Sequence, residues 1–324
     1  MKREQRKAYV ALGLVSFFWG TTYLASKISA QHIPGLFVAG VRQFVSGLLL
    51  VGYFKGRGYH WPDKKSLATI TVQGFFLLCI SNGLLTWAME YIDSGLGAII
   101  AGLVPLFVAL FSILLLRFAR FTPLMVAGLV IGFGGIVTIF YEHFARLVNS
   151  RYAFGVTLAL IATLSWSFGT VFASRYKPKT DILFGVGLQM LIAGCIMLAT
   201  CGLSGKYANL LKADSSALWG LLYLIVIGSL LTYSAYVFAV SKLPPTQVSV
   251  YAYINPIVAI FLGWLILKEH MSLNVVTGTL ITLGGVWLVN REFKKQQRTA
   301  AAQKSRETKD TQAPLSVVLE PAEK

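Results

Sequence analysis

The apolar stretch GLVIGFGGIV at residues 128–137 has a counterpart in GTLITLGGVW at residues 278–287. Gly128, Gly134 and Gly135 of the first stretch recur in register as Gly278, Gly284 and Gly285 in the second, at an offset of about 150 residues. Three further matches occur in the same order at similar offsets: Ala25-Ser26-Lys27 with Ala173-Ser174-Arg175, Arg42 with Gln189, and Pro105 with Pro256. Repeated self-similarity at one offset indicates an internal duplication.

The composition excludes an ordinary soluble enzyme and a disordered chain. Of the 324 residues, 56% are hydrophobic and 13% are charged, whereas soluble globular proteins carry about 25% charged residues. The mean hydropathy is +0.66. The acidic residues fall between apolar segments or in the termini, apart from Glu90 at the end of one segment. Because charge inside hydrocarbon is costly, this arrangement is typical of a membrane protein.

Ten stretches are long and apolar enough to cross a bilayer as helices. A hydrocarbon core about 30 Å thick requires about 20 apolar helical residues. The stretches are continuously apolar and do not alternate as barrel strands do, so the fold class predicted is an all-α membrane protein. The predicted spans are 8–26, 33–54, 67–89, 94–116, 123–140, 152–173, 182–203, 216–240, 246–267 and 273–290.

The basic residues predict how the chain is oriented. With the N-terminus inside, 18 Lys and Arg fall in inner segments and 6 in outer loops. This asymmetry places both termini in the cytoplasm of a multi-pass protein of the cell (inner) membrane. It also accounts for the net charge of +16 without a nucleic-acid partner. The polar stretch 296–324 is predicted to be a flexible cytoplasmic tail.

The duplication and the span count together predict two inverted five-helix repeats, residues 1–145 and 146–295. Five is an odd number, so the second copy enters the membrane in the opposite orientation. Many secondary transporters are built from inverted repeats and bind substrate near the midplane between the halves. A purely structural membrane protein has no need of this symmetry, so the organisation favours alternating access.

In these features the chain resembles the EamA-type transporters of the drug/metabolite transporter superfamily over about residues 8–290. The resemblance is carried by the two five-span halves, Trp19-Gly20 in the first span, the in-span Arg42, Pro256 followed by Lys268-Glu269, and the repeated Gly-x5-Gly-Gly. It implies a central cavity among the first, third, fourth, sixth, eighth and ninth spans. The family often has a Glu after the fourth span, where this chain has Arg117 and Phe118.

Arg42 is the clearest candidate site residue. It lies about ten residues into a 22-residue span, where an arginine costs at least about 2.5–3.5 kcal/mol and must face protein or water. One interpretation is a fixed positive charge for a substrate carboxylate or phosphate. The other is a structural arginine bonded to carbonyls or amides, and its repeat partner Gln189 suggests that both halves need a donor there.

Other in-span polar and aromatic groups complete the predicted binding site. An aromatic cage suits an amphipathic metabolite, although interfacial belts and helix packing also explain such residues. The predicted substrate-binding residues are Trp19, Arg42, Asn82, Trp87, Tyr233, Tyr253 and Asn255. Glu90 is the one plausible embedded acid, and an outer-surface carboxylate is the simpler interpretation.

We therefore expect a secondary transporter that exports a small metabolite, such as an amino acid or a related compound. Multidrug efflux or nucleotide-sugar exchange is the alternative within transport. A membrane receptor and an intramembrane enzyme are the alternatives from other classes. No phosphate-binding loop, catalytic set or metal-ligand spacing appears in the sequence, so we predict no enzyme activity, no cofactor and no metal. The expected partners are a small-molecule substrate and the lipid bilayer, with the chain a monomer or homodimer.

Overall fold

The described residues of this computed structural model are 3–116, 122–147, 149–249, 251–270 and 272–312, and their regular structure is entirely helical. The main helices are α1 (Arg3–Ala30), α2 (Gly35–Gly56), α3 (Lys64–Ala88), α4 (Ser94–Ala101 and Val104–Leu116), α5 (Pro123–Leu147), α6 (Ser150–Arg175), α7 (Ile182–Ser204), α8 (Ser215–Lys242), α9 (Tyr251–Leu267) and α10 (Leu273–Gln312). A four-residue helix, Pro245–Val248, precedes α9, and a short 3-10 turn, Leu210–Lys212, precedes α8.

The prediction of an all-helical membrane protein is confirmed. Eight of the helical segments are long and apolar enough to cross a membrane. The other two predicted spans correspond to shorter apolar helices, Pro123–Ile139 and Tyr251–Leu267. The ninth predicted span, 246–267, corresponds to the short helix Pro245–Val248 and the helix Tyr251–Leu267.

Helices of both halves depart from regular α geometry. α3 contains a π-helical segment at Phe75–Asn82, and α8 contains one at Leu224–Tyr233. α4 is interrupted between Ala101 and Val104, and the short helix Pro245–Val248 is separate from α9. π-helical segments within α-helices are frequently found at functional sites. Broken helices at membrane depth are tolerated where they line a cavity or pack against protein.

Helices from opposite halves pack closely through glycines. α5 packs against α10, and α2 packs against α7. A Cβ added to Gly135 would lie 2.6 Å from the carbonyl oxygen of Gly278, and one added to Gly278 would lie 2.7 Å from that of Gly135. Only glycine permits the two helices to approach this closely. Small residues are expected at helix interfaces in membranes for this reason.

The remaining contacts surround a central space. α1 packs against α8 and α9, while α6 packs against α3 and α4. The largest buried apolar cluster lies among these helices and includes Val15, Leu77, Trp166, Tyr236 and Tyr251. This arrangement places α1, α3, α4, α6, α8 and α9 around the centre of the bundle, with α2 beside them.

The first part of the stretch 296–324, predicted to be a flexible tail, is helical. α10 continues without a break through residue 296 to Gln312. The sequence of this extension contains several Gln, Ala, Lys and Arg residues, which are among the stronger helix formers. Residues 313–324 lie outside the described residues.

Candidate functional site

A cavity lies between the two halves of the bundle. α1, α2, α3 and α4 contribute side chains from the first half, and α6, α8 and α9 from the second. Five of the seven predicted substrate-binding residues line it: Trp19, Arg42, Asn82, Tyr233 and Asn255.

Arg42 points into this cavity from α2 and is only 3% exposed. Its Nε donates a hydrogen bond to Ser229 Oγ at 3.1 Å, across the interface with α8. Its terminal nitrogens lie over Gly228, where an added Cβ would come within 3.1 Å of one of them. No Asp or Glu of the described residues forms a salt bridge with Arg42. The guanidinium is therefore a buried positive charge without a protein counter-ion in the described chain.

Gln43 lies beside Arg42 and was missed among the predicted site residues. Its Nε2 donates to Asn82 Oδ1 at 3.2 Å, while its Oε1 is buried and has no hydrogen-bond partner among the described residues. The only sequence signal was an in-span amide next to the in-span arginine. The pair gives the cavity a hydrogen-bond acceptor close to a cation.

Trp19 lies at the centre of an aromatic cluster at the same cavity. Its ring centroid is 5.1 Å from that of Trp166, 4.9 Å from Tyr236 and 5.0 Å from Tyr251. Its indole Nε1 donates to the carbonyl oxygen of Gly228 at 3.4 Å. Trp166 and Tyr251 also line the cavity, so apolar ring faces from both halves adjoin the polar groups.

A chain of hydrogen bonds runs from the cavity to the end of α6. Tyr233 Oη donates to Gln189 Oε1 at 2.6 Å, and Gln189 Nε2 donates to Gln73 Oε1 at 2.7 Å. Gln73 Nε2 then donates to the carbonyl oxygen of Tyr176 at 2.7 Å. Gln189, the sequence counterpart of Arg42, is thus engaged in helix packing and does not line the cavity.

Asn255 ties α9 to α1 at the cavity wall. With its amide nitrogen facing the neighbouring carbonyls, it donates to Ser16 O at 2.9 Å and to Tyr251 O at 3.2 Å. These two bonds use both amide hydrogens. The residue combines a structural role with a cavity position.

Trp87 and Tyr253 do not line this cavity. Trp87 packs against Phe154, with ring centroids 5.3 Å apart, and has Lys206 Nζ 4.5 Å from its ring. It lies five positions after Asn82, and since each residue of an α-helix turns by about 100°, the two side chains point to different faces. Tyr253 Oη accepts a hydrogen bond from Asn290 Nδ2 at 3.4 Å. Its neighbour two positions on, Asn255, faces the opposite direction for the same reason.

The carboxylates near the helix ends cap helices. Glu90 accepts a hydrogen bond from the backbone N–H of Gly35 at the start of α2. Glu269 accepts from Ser94 N and Ser94 Oγ at 2.9 Å each, and from Gly95 N at 3.2 Å, at the start of α4. Both roles match the preference for negative charge at helix N-termini. The sequence departure at Arg117 and Phe118 lies outside the described residues.

Lys27 Nζ donates to the carbonyl oxygens of Met89 and Ile92, just beyond the end of α3, at 2.9 Å each.

Within the described residues, no group of three or more His, Cys, Asp or Glu side chains is arranged to hold a metal ion. The polar chemistry of the cavity is therefore that of one guanidinium, several amides and hydroxyls, and aromatic rings.

Comparison with known proteins identifies related chains. The model of the EamA-like transporter family matches residues 6–141 and again residues 153–291. The chain is 31% identical over 291 residues to an inner membrane transporter of Escherichia coli K12, YedA, covering 87% of this chain and 92% of that one. It is 25% identical to the transporter YoaV of Bacillus subtilis, covering 89% and 99%. YedA and YoaV are each described as uncharacterized.

Two further matches extend the comparison. A WAT1-related chloroplast protein of Arabidopsis thaliana is 28% identical, covering 85% of this chain and 67% of that protein. A solved crystal structure shares the fold with a TM-score of 0.63 and 17% identity, covering 90% of this chain and 98% of that chain. The expected resemblance is confirmed.

Proposed function

Because this multi-pass membrane protein belongs to the EamA-like transporter family, we propose that it is a secondary transporter that exports a small metabolite, such as an amino acid or a related compound, by alternating access. The observation that carries this proposal is the cavity between the halves. In it converge a buried guanidinium, an amide oxygen without a partner among the described residues, and aromatic faces. A carboxylate can accept two parallel hydrogen bonds from such a guanidinium. The adjoining rings suit an apolar or amphipathic body.

We also propose that residues 1–145 and 146–295 are inverted copies. Reciprocal contacts support this: a Cβ on Gly47 would lie 2.6 Å from Leu191 Cα, and one on Gly194 would lie 2.6 Å from Phe44 Cα. Exchanging the halves converts one of these contacts into the other, as an isologous two-fold interface requires. The same family model also matches each half separately.

Alternating access would then be a movement of the helices around the cavity. The π-helical segments of α3 and α8 and the interruptions in α4 and before α9 all lie next to it. Both termini would be cytoplasmic in the inner membrane, as the positive-inside bias predicts. Transport would use no ATP, cofactor or covalent chemistry in this chain.

Flux into proteoliposomes tests the proposal. We expect the reconstituted protein to move a radiolabelled amino acid or related metabolite down its gradient, saturably and above the rate of empty vesicles. We expect Arg42→Gln to raise the half-saturating concentration by about tenfold or more, since a hydrogen bond to a charged group contributes about 1.5–3 kcal/mol. Arg57→Gln is the matched control, because it makes the same substitution on the exposed end of α2.

The outcome distinguishes the proposal from its alternatives. Flux of nucleotide sugars or of lipophilic drugs alone would favour the exchange or efflux function. A protein that moves no solute of any of these classes would fit a receptor or an enzyme and contradict the proposal. Native flux by Arg42→Gln would show that Arg42 does not contact substrate.

A further inference from the structure

We infer that the species carried is a monoanion, a small carboxylate whose nitrogen or oxygen donor is uncharged, and that its export moves net charge. An N-acylated amino acid has this chemistry, whereas a free amino acid does not. The inference rests on the proposed function, because it concerns the same cavity. It narrows the substrate class and specifies the driving force.

The charges at the cavity carry the argument. Among the described residues that line it, Arg42 is the one Lys, Arg, His, Asp or Glu. The tyrosines there are phenols, which are ordinarily neutral near pH 7. Arg remains protonated in proteins, so the described lining has a charge of +1. The nearby acids are used elsewhere, since Glu90 and Glu269 cap the starts of α2 and α4.

The hydrogen-bonding capacity of Arg42 is mostly unused. A guanidinium has five N–H donors, and the described structure gives Arg42 a bond only from Nε, to Ser229. Gly228 has no side chain to cover the terminal nitrogens, and a Cβ there would lie 3.1 Å from one of them. A bound carboxylate would occupy these donors in the bidentate geometry that guanidinium favours.

The side chain of Gln43 favours a substrate whose hydrogen-bond donor is uncharged. Gln43 Oε1 is buried and without a partner among the described residues, so it can accept one N–H or O–H from the substrate. It carries no charge to balance an ammonium. A zwitterion would leave the occupied cavity at +1, whereas a monoanion brings it to zero. In a cavity of low dielectric constant the neutral complex is strongly preferred.

The charge carried decides the energetics of export. An inside-negative potential of 100 mV favours the outward movement of one negative charge by about 50-fold. No titratable carboxylate lines the described cavity to exchange a proton. The membrane potential alone would therefore drive export, without a coupled ion.

The test uses the reconstituted full chain and a set of probes that differ in net charge. Common amino acids with uncharged side chains are each supplied as the N-acetyl form (−1), the free form (zwitterion) and the amide (+1). Potassium gradients with valinomycin set the potential. We expect the N-acetyl forms to be carried, with a steady-state distribution that shifts about tenfold for every 59 mV. We expect the free forms and the amides to be poor substrates.

Variants check that Arg42 sets this preference. Arg42→Gln is expected to abolish the preference for the N-acetyl form, and Arg42→Lys, which keeps the charge, to retain it at lower affinity. Arg57→Gln is expected to behave as the native protein. The charge preference of the native protein is measured without any variant, so a folding defect in Arg42→Gln would not affect that result.

Two results would overturn the inference. If the free amino acids are carried and their distribution ignores the potential, the inference is wrong and the proposed transport function stands. If no probe in any of the three forms is carried, the inference and the proposed export of amino-acid-related metabolites are both wrong.

Discussion

Replacing Glu269 with glutamine should destabilise the fold by releasing the start of α4. The carboxylate of Glu269, just beyond α9, accepts three hydrogen bonds, from Ser94 N, Ser94 Oγ and Gly95 N. Asp93 precedes Ser94 but its side chain does not cap this helix. Glu269 therefore closes the N-terminus of α4 from a segment more than half the chain away.

The size of the effect follows from these contacts. Glutamine keeps one acceptor oxygen, so at least one charge-assisted bond is lost, and such a bond contributes about 1.5–3 kcal/mol. The loss of negative charge at the helix N-terminus adds about 0.3–1 kcal/mol. Because the Glu269 side chain is only partly buried, we take the lower end of the range and expect about 2 kcal/mol. For a chain larger than about 150 residues this corresponds to a fall in Tm of about 4–8 °C.

Thermal unfolding of the detergent-purified protein measures this directly. Tryptophan fluorescence or light scattering on heating gives the apparent Tm of Glu269→Gln beside that of the native chain. Glu292→Gln is the control, because it makes the same substitution within α10, away from any helix N-terminus. If Glu269→Gln and Glu292→Gln melt within about 1 °C of each other, the capping argument is refuted.

Three further substitutions have definite expected outcomes. Gln189→Leu leaves the buried partners on α3 and α8 unsatisfied, and we expect a loss of about 2–4 kcal/mol, at about 1–3 kcal/mol for each group. Gln31→Leu, at an exposed position, should change the stability little. Gly135→Val should prevent α5 from packing on α10, whereas Gly134→Ala, where an added Cβ meets nothing within 4 Å, should express and melt normally. Asp214 caps α8, and the side-chain hydrogen bond from Ser216 is the main cause that lowers its pKa from 3.8. The native protein should therefore be more stable than Asp214→Ala above pH 3.8, and this advantage should disappear as the pH falls below that value. A difference in Tm between the two proteins that does not change across this pH range would contradict the argument.

The positions of the apolar helices along the chain were predictable from the sequence, whereas the directions of their side chains were not. Apolar stretches of about 20 residues mark spans regardless of which face is buried. Trp87 and Tyr253 lie in predicted spans, yet they face away from the cavity. The faces of these helices are nearly all apolar, so the sequence carries little periodic signal to orient them. The π-helical segment Phe75–Asn82 changes the phase of α3 further, and nothing in its sequence marks it.

Contacts between residues that are far apart in the sequence were also not predictable. Gln43 was visible as an in-span amide, but its free acceptor depends on where Asn82 lies. Glu269 was noted as a family feature, and its role at Ser94 depends on the packing of α9 against α4. Arg42 was found because a buried arginine in a membrane span is costly enough to be informative by itself.

The two halves, if they are inverted copies, share a scaffold and differ where substrate would bind. Arg42 faces the cavity with most of its donors unused, while its counterpart Gln189 is bonded on both sides, to Tyr233 and Gln73. Duplication supplies two equivalent positions, but a second free cation would require two negative charges on the substrate. The neutral, fully bonded amide at 189 avoids that requirement and joins α7 to α3 and α8. On the proposed function, specificity for one anionic group would follow from the divergence of the copies, and the cavity itself from their symmetry.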